Sequence, residues 1–164
     1  MSKKPKYVPL SAVFRILHGN KLDLNKMLAP SDDEAPVAFI GRSGKENGIV
    51  GFVRQHPVYD PFPAGAITVA LGGAALSSFV QQRPFYTAQN IDVLTPLATM
   101  TLDVKLFYCQ CIEANSFRYS TFGREANRTL KQLLVPPLEA VPDWVEGIAA
   151  RAVKDLVGDL KAVL

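Results

Sequence analysis

Residues 66–94, AITVALGGAALSSFVQQRPFYTAQNIDVL, decide the fold. Ala66 to Leu71 carries Ile67, Thr68 and Val69, the β-branched side chains that suit a pleated, half-buried surface. Gly72-Gly73 breaks that strand, and Leu76 to Gln81 reads as the next one until Arg83-Pro84 stops it. Phe85-Tyr86-Thr87 and Ile91-Asp92-Val93-Leu94 read as two more. Gly72-Gly73 has no dinucleotide fingerprint around it, so it reads as a bulge or tight turn rather than a cofactor cradle.

Upstream, Val37-Ala38-Phe39-Ile40 and Ile49 to Val53 form a pair of short apolar strands. Between them runs Gly41-Arg42-Ser43-Gly44-Lys45-Glu46-Asn47-Gly48, a hairpin tip rich in hydrogen-bond donors. It suits a nucleic-acid contact loop and equally an ordinary hydrophilic hairpin. The spacing of a phosphate-binding P-loop is missing. Residues 57–65, with Pro57, Pro61, Pro63 and Gly65, form a loop. Nearer the start, residues 1–6 read as a basic, disordered lead. Ser11 caps an expected short helix from Ala12 to about Arg15, and Gly19-Asn20 marks a turn. Lys21 to Pro36 reads as a weak helix over Asn25 to Leu28 and then an acidic loop.

Downstream, Thr101 is a plausible N-cap for a helix from Leu102 to about Phe117. Leu102, Leu106, Phe107, Tyr108, Cys109, Ile112 and Ala114 wrap much of its circumference, which predicts a buried helix packed against a sheet. It delivers the chain to Phe117–Leu138, FRYSTFGREANRTLKQLLVPPL. There Arg118, Arg124, Arg128 and Lys131 stand against a single acid, Glu125, with Tyr119, Phe122 and Asn127 among them. Arginines beside aromatics and an Asn suit a surface that grips phosphates and reads base edges; a solvated basic loop entering a core strand fits the same letters. Thr129 to Gln132 suits one helical turn and Leu133-Leu134-Val135 a last strand, ended by Pro136-Pro137. Asp143 to Glu146 has capping-box spacing for a terminal helix to about Val163. Its stripe of Val145, Ile148, Ala149, Ala152, Val153, Leu156, Leu160 and Val163 predicts a helix that folds back on the domain or pairs with another helix.

With 164 residues the chain is one domain, or one domain (1–140) with a C-terminal amphipathic helix (141–164). A net charge of +3 is permissive of nucleic acid without being diagnostic. Cys109 and Cys111 stand two apart on a helix, off a common face, and read as core thiols of a reducing compartment. No apolar h-region follows the basic lead, and no apolar run reaches the ~18 residues that cross a membrane, so a cytoplasmic location is expected. His18 and His56 have no nucleophile or acid at a telling offset, and no hydrolase, metalloprotease, nuclease or amino-methyltransferase signature occurs. The expectation is a protein without catalysis, metal or cofactor.

Three segments together resemble one family. They are Phe39 to Val53 (FIGRSGKENGIVGFV), Ala66 to Leu94, and Lys105 to Glu139 (KLFYCQCIEANSFRYSTFGREANRTLKQLLVPPLE). They are similar to the target recognition domain of the specificity subunits of type I, and type IIB-like, restriction–modification systems. The sharpest likeness lies in Pro84-Phe85-Tyr86-Thr87, Lys105-Leu106-Phe107-Tyr108, Asn115 to Arg128, and the Val135-Pro136-Pro137-Leu138-Glu139 exit. The resemblance implies an α/β (α+β) fold: an irregular, mostly antiparallel sheet with packed helices. It implies sequence-specific recognition of double-stranded DNA by a non-catalytic, half-size specificity subunit, with S-adenosylmethionine held by a partner methyltransferase. By position it suggests Arg42, Ser43, Lys45 and Asn47 in the hairpin, and Arg118, Tyr119, Arg124, Asn127 and Arg128 after the central helix, as DNA-binding residues. Asn127 and Arg128 serve equally as braces. The family normally joins two such domains through long helices and continues Glu-Gln after the exit, where this chain has Ala140-Val141-Pro142. That departure leaves methyltransferase docking open. It allows a homodimer through the terminal helices, and also a regulatory or protein-interaction relic without DNA binding.

Overall fold

The computed structural model describes residues 6–119 and 126–163. Arg124 and most of the N-terminal basic lead lie outside the described residues. Among the described residues nine strands and two α-helices follow in order: β1 (Val8–Pro9), β2 (Phe14–His18), β3 (Val37–Ile40), β4 (Ile49–Val53), β5 (Ile67–Ala70), β6 (Ser78–Val80), β7 (Phe85–Thr87), β8 (Ile91–Pro96), α1 (Leu102–Glu113), β9 (Leu134–Val135) and α2 (Ile148–Val163). A four-stranded antiparallel sheet, ordered β2-β8-β5-β6, carries α1 against it. A three-stranded sheet, ordered β4-β3-β7, pairs β3 antiparallel with β4 and parallel with β7. A short antiparallel pairing of β1 with β9 ties the two ends of the domain together. The class is α/β (α+β) with a mostly antiparallel, irregular sheet and a C-terminal helix.

The strands expected from residues 66–94 all form, because each short apolar run buries its side chains between layers. Ile67, Thr68, Val69 and Ala70 are buried, as are Phe85, Tyr86 and Thr87, and Ile91 to Leu94. Phe14, Leu71, Leu76, Tyr108 and Ile112 fill the main core, and the rings of Phe14 and Tyr108 meet edge to face with centroids 5.2 Å apart. Tyr108 hangs its hydroxyl on the Pro136 carbonyl at 2.9 Å, and burial pushes its pKa up to about 12. His56 organises the proline loop: its Nδ1 accepts the N–H groups of Val58 and Tyr59 at 3.0 and 3.2 Å.

Three elements differ from expectation. The helix expected over Ala12 to Arg15 is instead a 3-10 turn, Leu10–Ala12, followed by β2. Ser11 caps nothing, and Phe14 and Ile16 turn inward while Arg15 and Leu17 face out, the period-two pattern of a strand bonded along its length to β8. Helix α1 is buried on one face only: Val104, Tyr108, Cys109 and Ile112 are inside, while Leu102 and Leu106 are exposed. It ends at Glu113, where the Asn115 amide donates to the Cys111 carbonyl at 2.9 Å. The terminal helix begins at Ile148, not at Asp143. Gly147 stands at φ +79°, and Asp103 of α1 caps the new start, accepting the N–H groups of Gly147 at 2.8 Å and Ala149 at 3.2 Å. Val145 therefore sits buried in the main core instead of on the stripe. No residue of α2 is buried.

Candidate nucleic-acid interface

The hairpin loop between β3 and β4 has a rigid base and a cationic rim. A register shift between Phe39 and Ile40 twists the strands, and the Gly41 N–H closes on the Gly48 carbonyl at 2.9 Å. Glu46, Asn47 and Gly48 all take positive φ, of 53, 56 and 76°. Two consecutive non-glycine residues in that region persist only where the surroundings over-determine them. The brace is Gln81, fully buried at the end of β6. Its Nε2 donates to the Asn47 carbonyl and to Thr68 Oγ1, both at 2.9 Å, and its Oε1 accepts Asn47 Nδ2 at 3.3 Å. Asn47 Nδ2 also reaches the Val80 carbonyl at 3.3 Å. Asn47 thus anchors the loop from behind. Ser43 holds the rim in shape: its Oγ accepts the Lys45 N–H at 3.1 Å and donates to the Lys45 carbonyl at 3.3 Å. Arg42 and Lys45 are exposed. Beside them a groove of about 330 Å³ opens toward α1, lined by Gly44, Phe79, Gln82, Leu106 and Glu113 among others.

The second cationic segment leaves α1 through a 3-10 turn, Ser116–Tyr119, and returns through another, Ala126–Arg128. A hydrogen bond between the hydroxyls of Tyr119 and Thr129 clasps its two ends. Arg118, with its guanidinium carbon 5.6 Å from the Phe117 ring centre, is exposed, and so is Arg128. Ala126 is fully buried and gives its N–H to the Leu71 carbonyl at 2.8 Å. Asn127 occupies the middle of the returning turn.

Both segments fasten to one connection, residues 71–77 between β5 and β6. Leu71 takes the returning turn. Two residues on, Gly73 stands at φ +66° with its backbone against Arg42, where a Cβ would come within 3.0 Å of the Arg42 carbonyl. The next N–H, of Ala74, donates to that carbonyl at 3.3 Å. The structure therefore brings the hairpin, through the Arg42 backbone, against this connection and the Ala126 turn to its start, while Asn47 is tied to Val80 and Gln81 at the far end of β6. Of the sequence-derived candidates, Arg42, Lys45, Arg118 and Arg128 present exposed charge; Asn47 and Tyr119 commit polar atoms to holding the loops.

Sequence reasoning passed over Gln81, Thr129 and one hydrogen-bonded His–Asp pair. Asp92 is 1% exposed near the start of β8, and its Oδ1 meets His18 Nδ1 at 2.7 Å. Burial raises its carboxyl above the ordinary value of 3.8, against the opposing pull of His18, Lys131 and Lys21. The signal was present as an acid inside the apolar run Ile91-Asp92-Val93-Leu94. Among the described residues no group of three metal-ligating side chains occurs, and no helix is long and apolar enough to cross a membrane. Burial pushes the Cys109 thiol up to about 12 and the Cys111 thiol to about 11, so neither is a ready thiolate.

No protein-family model matches the sequence, and no curated protein matches it. Solved structures do match. The S subunit of a type I restriction-modification system from M. genitalium aligns over 98% of this chain with a TM-score of 0.60 and 16% identity. A structure from work on complex assembly and conformational transition of the type I R-M system aligns over 99% with a TM-score of 0.65, also at 16% identity. The HsdS subunit from Thermoanaerobacter tengcongensis aligns over 99% with a TM-score of 0.60 and 16% identity. This chain spans only 40–41% of the length of those chains. It has the fold of a stretch of the type I restriction-modification S subunits, the fold that its target-recognition-like segments implied.

Proposed function

We propose that this chain is a sequence-specific duplex-DNA recognition unit, non-catalytic, of the kind a restriction–modification specificity subunit carries. The observation that supports it best is the fastening of two cationic segments to the 71–77 connection by backbone hydrogen bonds. That arrangement holds guanidinium and ammonium groups on fixed supports, as base-edge and phosphate contacts require. Arg42, Lys45, Arg118 and Arg128 then meet the duplex directly, with Arg124 and Asn127 as further contacts. Ser43, Asn47 and Tyr119 shape the loops that carry them. The residues that bind DNA lie within 1–140, and residues 141–164 carry α2.

Helix α2 supplies assembly in this reading. Val153, Leu156, Leu160 and Val163 are all more than half exposed on a helix about 24 Å long. Pairing two copies through it gives a homodimer with two recognition units, and two-fold symmetry then demands a palindromic, bipartite target. A methyltransferase subunit is the second partner, and S-adenosylmethionine belongs to that subunit. The test is selection from a random duplex library at two salt concentrations. Recovery of a bipartite, inverted-repeat sequence supports the proposal; recovery of no preferred sequence refutes it.

A further inference from the structure

A third cationic element occupies the same end of the four-stranded sheet. His18 closes β2, and its register partner Asp92 is in turn paired with Val69 of β5. Two residues beyond Val69, Leu71 binds the Ala126 turn and gives its own N–H to the Asn90 carbonyl at 2.9 Å. Adjacent strands lie ~4.8 Å apart, so His18 stands about 10 Å across the sheet from the strand that holds that turn. The turn after His18 is built with unusual firmness. The Gly19 N–H bonds the Ile91 carbonyl at 2.9 Å, and a Cβ there would fall 2.0 Å from Thr87 Oγ1. Asn20 and Thr87 exchange hydrogen bonds, Asn20 N–H to Thr87 Oγ1 at 2.8 Å and Thr87 N–H to Asn20 Oδ1 at 3.1 Å. Leu22 adds its N–H to the Thr87 carbonyl at 3.0 Å.

These bonds hold Lys21 between them at φ +59°, exposed, in a region that lysine avoids. Lys131 lies three residues past Arg128, exposed on the turn Leu130–Gln132, whose Leu130 is buried in the core. The charges of both lysines reach the buried Asp92 carboxylate, which also fixes the half-exposed His18 ring. Asp23, the nearest acid along the chain, spends its Oδ1 on the Asn25 N–H at 3.0 Å.

We propose that Lys21 and Lys131, flanking the His18–Asp92 pair, form a sequence-independent phosphate clamp that extends the duplex-binding face past the Ala126–Arg128 turn. The inference rests on the DNA-binding reading above and adds interactions that position the duplex without reading its bases. Lys21→Gly with Lys131→Gln removes both charges, and glycine accepts φ +59° without strain, so folding is retained. Binding to a mixed-sequence duplex is measured by fluorescence anisotropy over a range of salt. Every phosphate that the protein no longer neutralises lowers the slope of log K against log salt by about 0.9, so the double variant should fall about 2 below the wild-type slope. The ratio of affinity for the selected site over the mixed-sequence duplex should stay unchanged. Lys21→Arg with Lys131→Arg should retain the wild-type slope. A wild-type slope in the double variant, with wild-type protein binding normally, overturns the clamp and leaves the recognition reading standing. Absence of salt-sensitive binding by the wild-type protein overturns both.

Discussion

Replacing Gln81 by Leu tests how a core residue shapes the candidate interface. The side chain is fully buried, and leucine fills a similar space without any polar atom. The substitution strips Thr68 Oγ1 and the Asn47 carbonyl of a donor each and leaves Asn47 Nδ2 with only the Val80 carbonyl. A buried polar group left unpaired costs about 1–3 kcal/mol. With two acceptors orphaned in a packed site, the expected loss is about 3 kcal/mol. For a chain of this size that lowers Tm by about 6–12 °C. Beyond stability, Glu46 and Asn47 lose the brace that keeps them at positive φ, so the Arg42–Lys45 rim is freed to relax and duplex affinity falls. Thermal melting followed by circular dichroism reads the first effect and anisotropy the second. Gln82→Leu, one residue along and exposed, serves as the control and should stay within about 0.5 kcal/mol of wild type. Gln81→Leu and Asn47→Ala should be strongly non-additive because they remove a shared interaction. A Gln81→Leu protein that melts with the wild type, or a pair of effects that simply add, would show that the hairpin is not held this way.

Other consequences follow from the same geometry. Asp103→Ala removes the carboxylate that takes the Gly147 and Ala149 N–H groups; α2 should lose about 1 kcal/mol and fray, seen as faster amide exchange in residues 148–152 with the main melting transition little changed. Leu156→Glu with Leu160→Glu should yield a monomer by light scattering, and an unchanged mass would remove the dimer through α2. Asp92 is raised by burial, so the native state favours its protonated form; its contribution is fully present below 3.8 and is lost as pH rises through the elevated native value. Asp92→Asn, which keeps an acceptor for His18, should therefore gain in Tm relative to wild type as pH is raised above 3.8. A difference that stays flat with pH would contradict that assignment.

Much of the fold could be read from local chemistry. Ile67-Thr68-Val69, Phe85-Tyr86-Thr87 and Ile91 to Leu94 are β-branched or aromatic runs cut by Gly-Gly and Arg-Pro, and each became a strand. Phe14 to His18 misled because Ser11 imitates a cap, while the alternation that makes it a strand is satisfied only by β8, whose partner residues lie 74 to 82 positions away in sequence. The start of α2 was displaced for a similar reason. The capping-box letters at Asp143 to Glu146 are outcompeted by Asp103, which caps from another helix. In the candidate site, residue type located the cationic loops but not the division of labour within them. Asn47 has the letters of a base reader, and only the position of Gln81 shows its amide turned to the scaffold. Lys21 gave no signal, since its distinction is a backbone angle fixed by Thr87, a residue of another sheet.

The claim at the centre is that the hairpin rim and the segment after α1 lie on the duplex together. Amide hydrogen exchange, compared with and without the selected duplex, addresses it most directly. Protection should rise in residues 42–47 and 116–128 at once, while the 50–59 region on the outer strand and proline loop stays as it was. Protection limited to that outer region, with both cationic loops exchanging as in the free protein, would contradict the account.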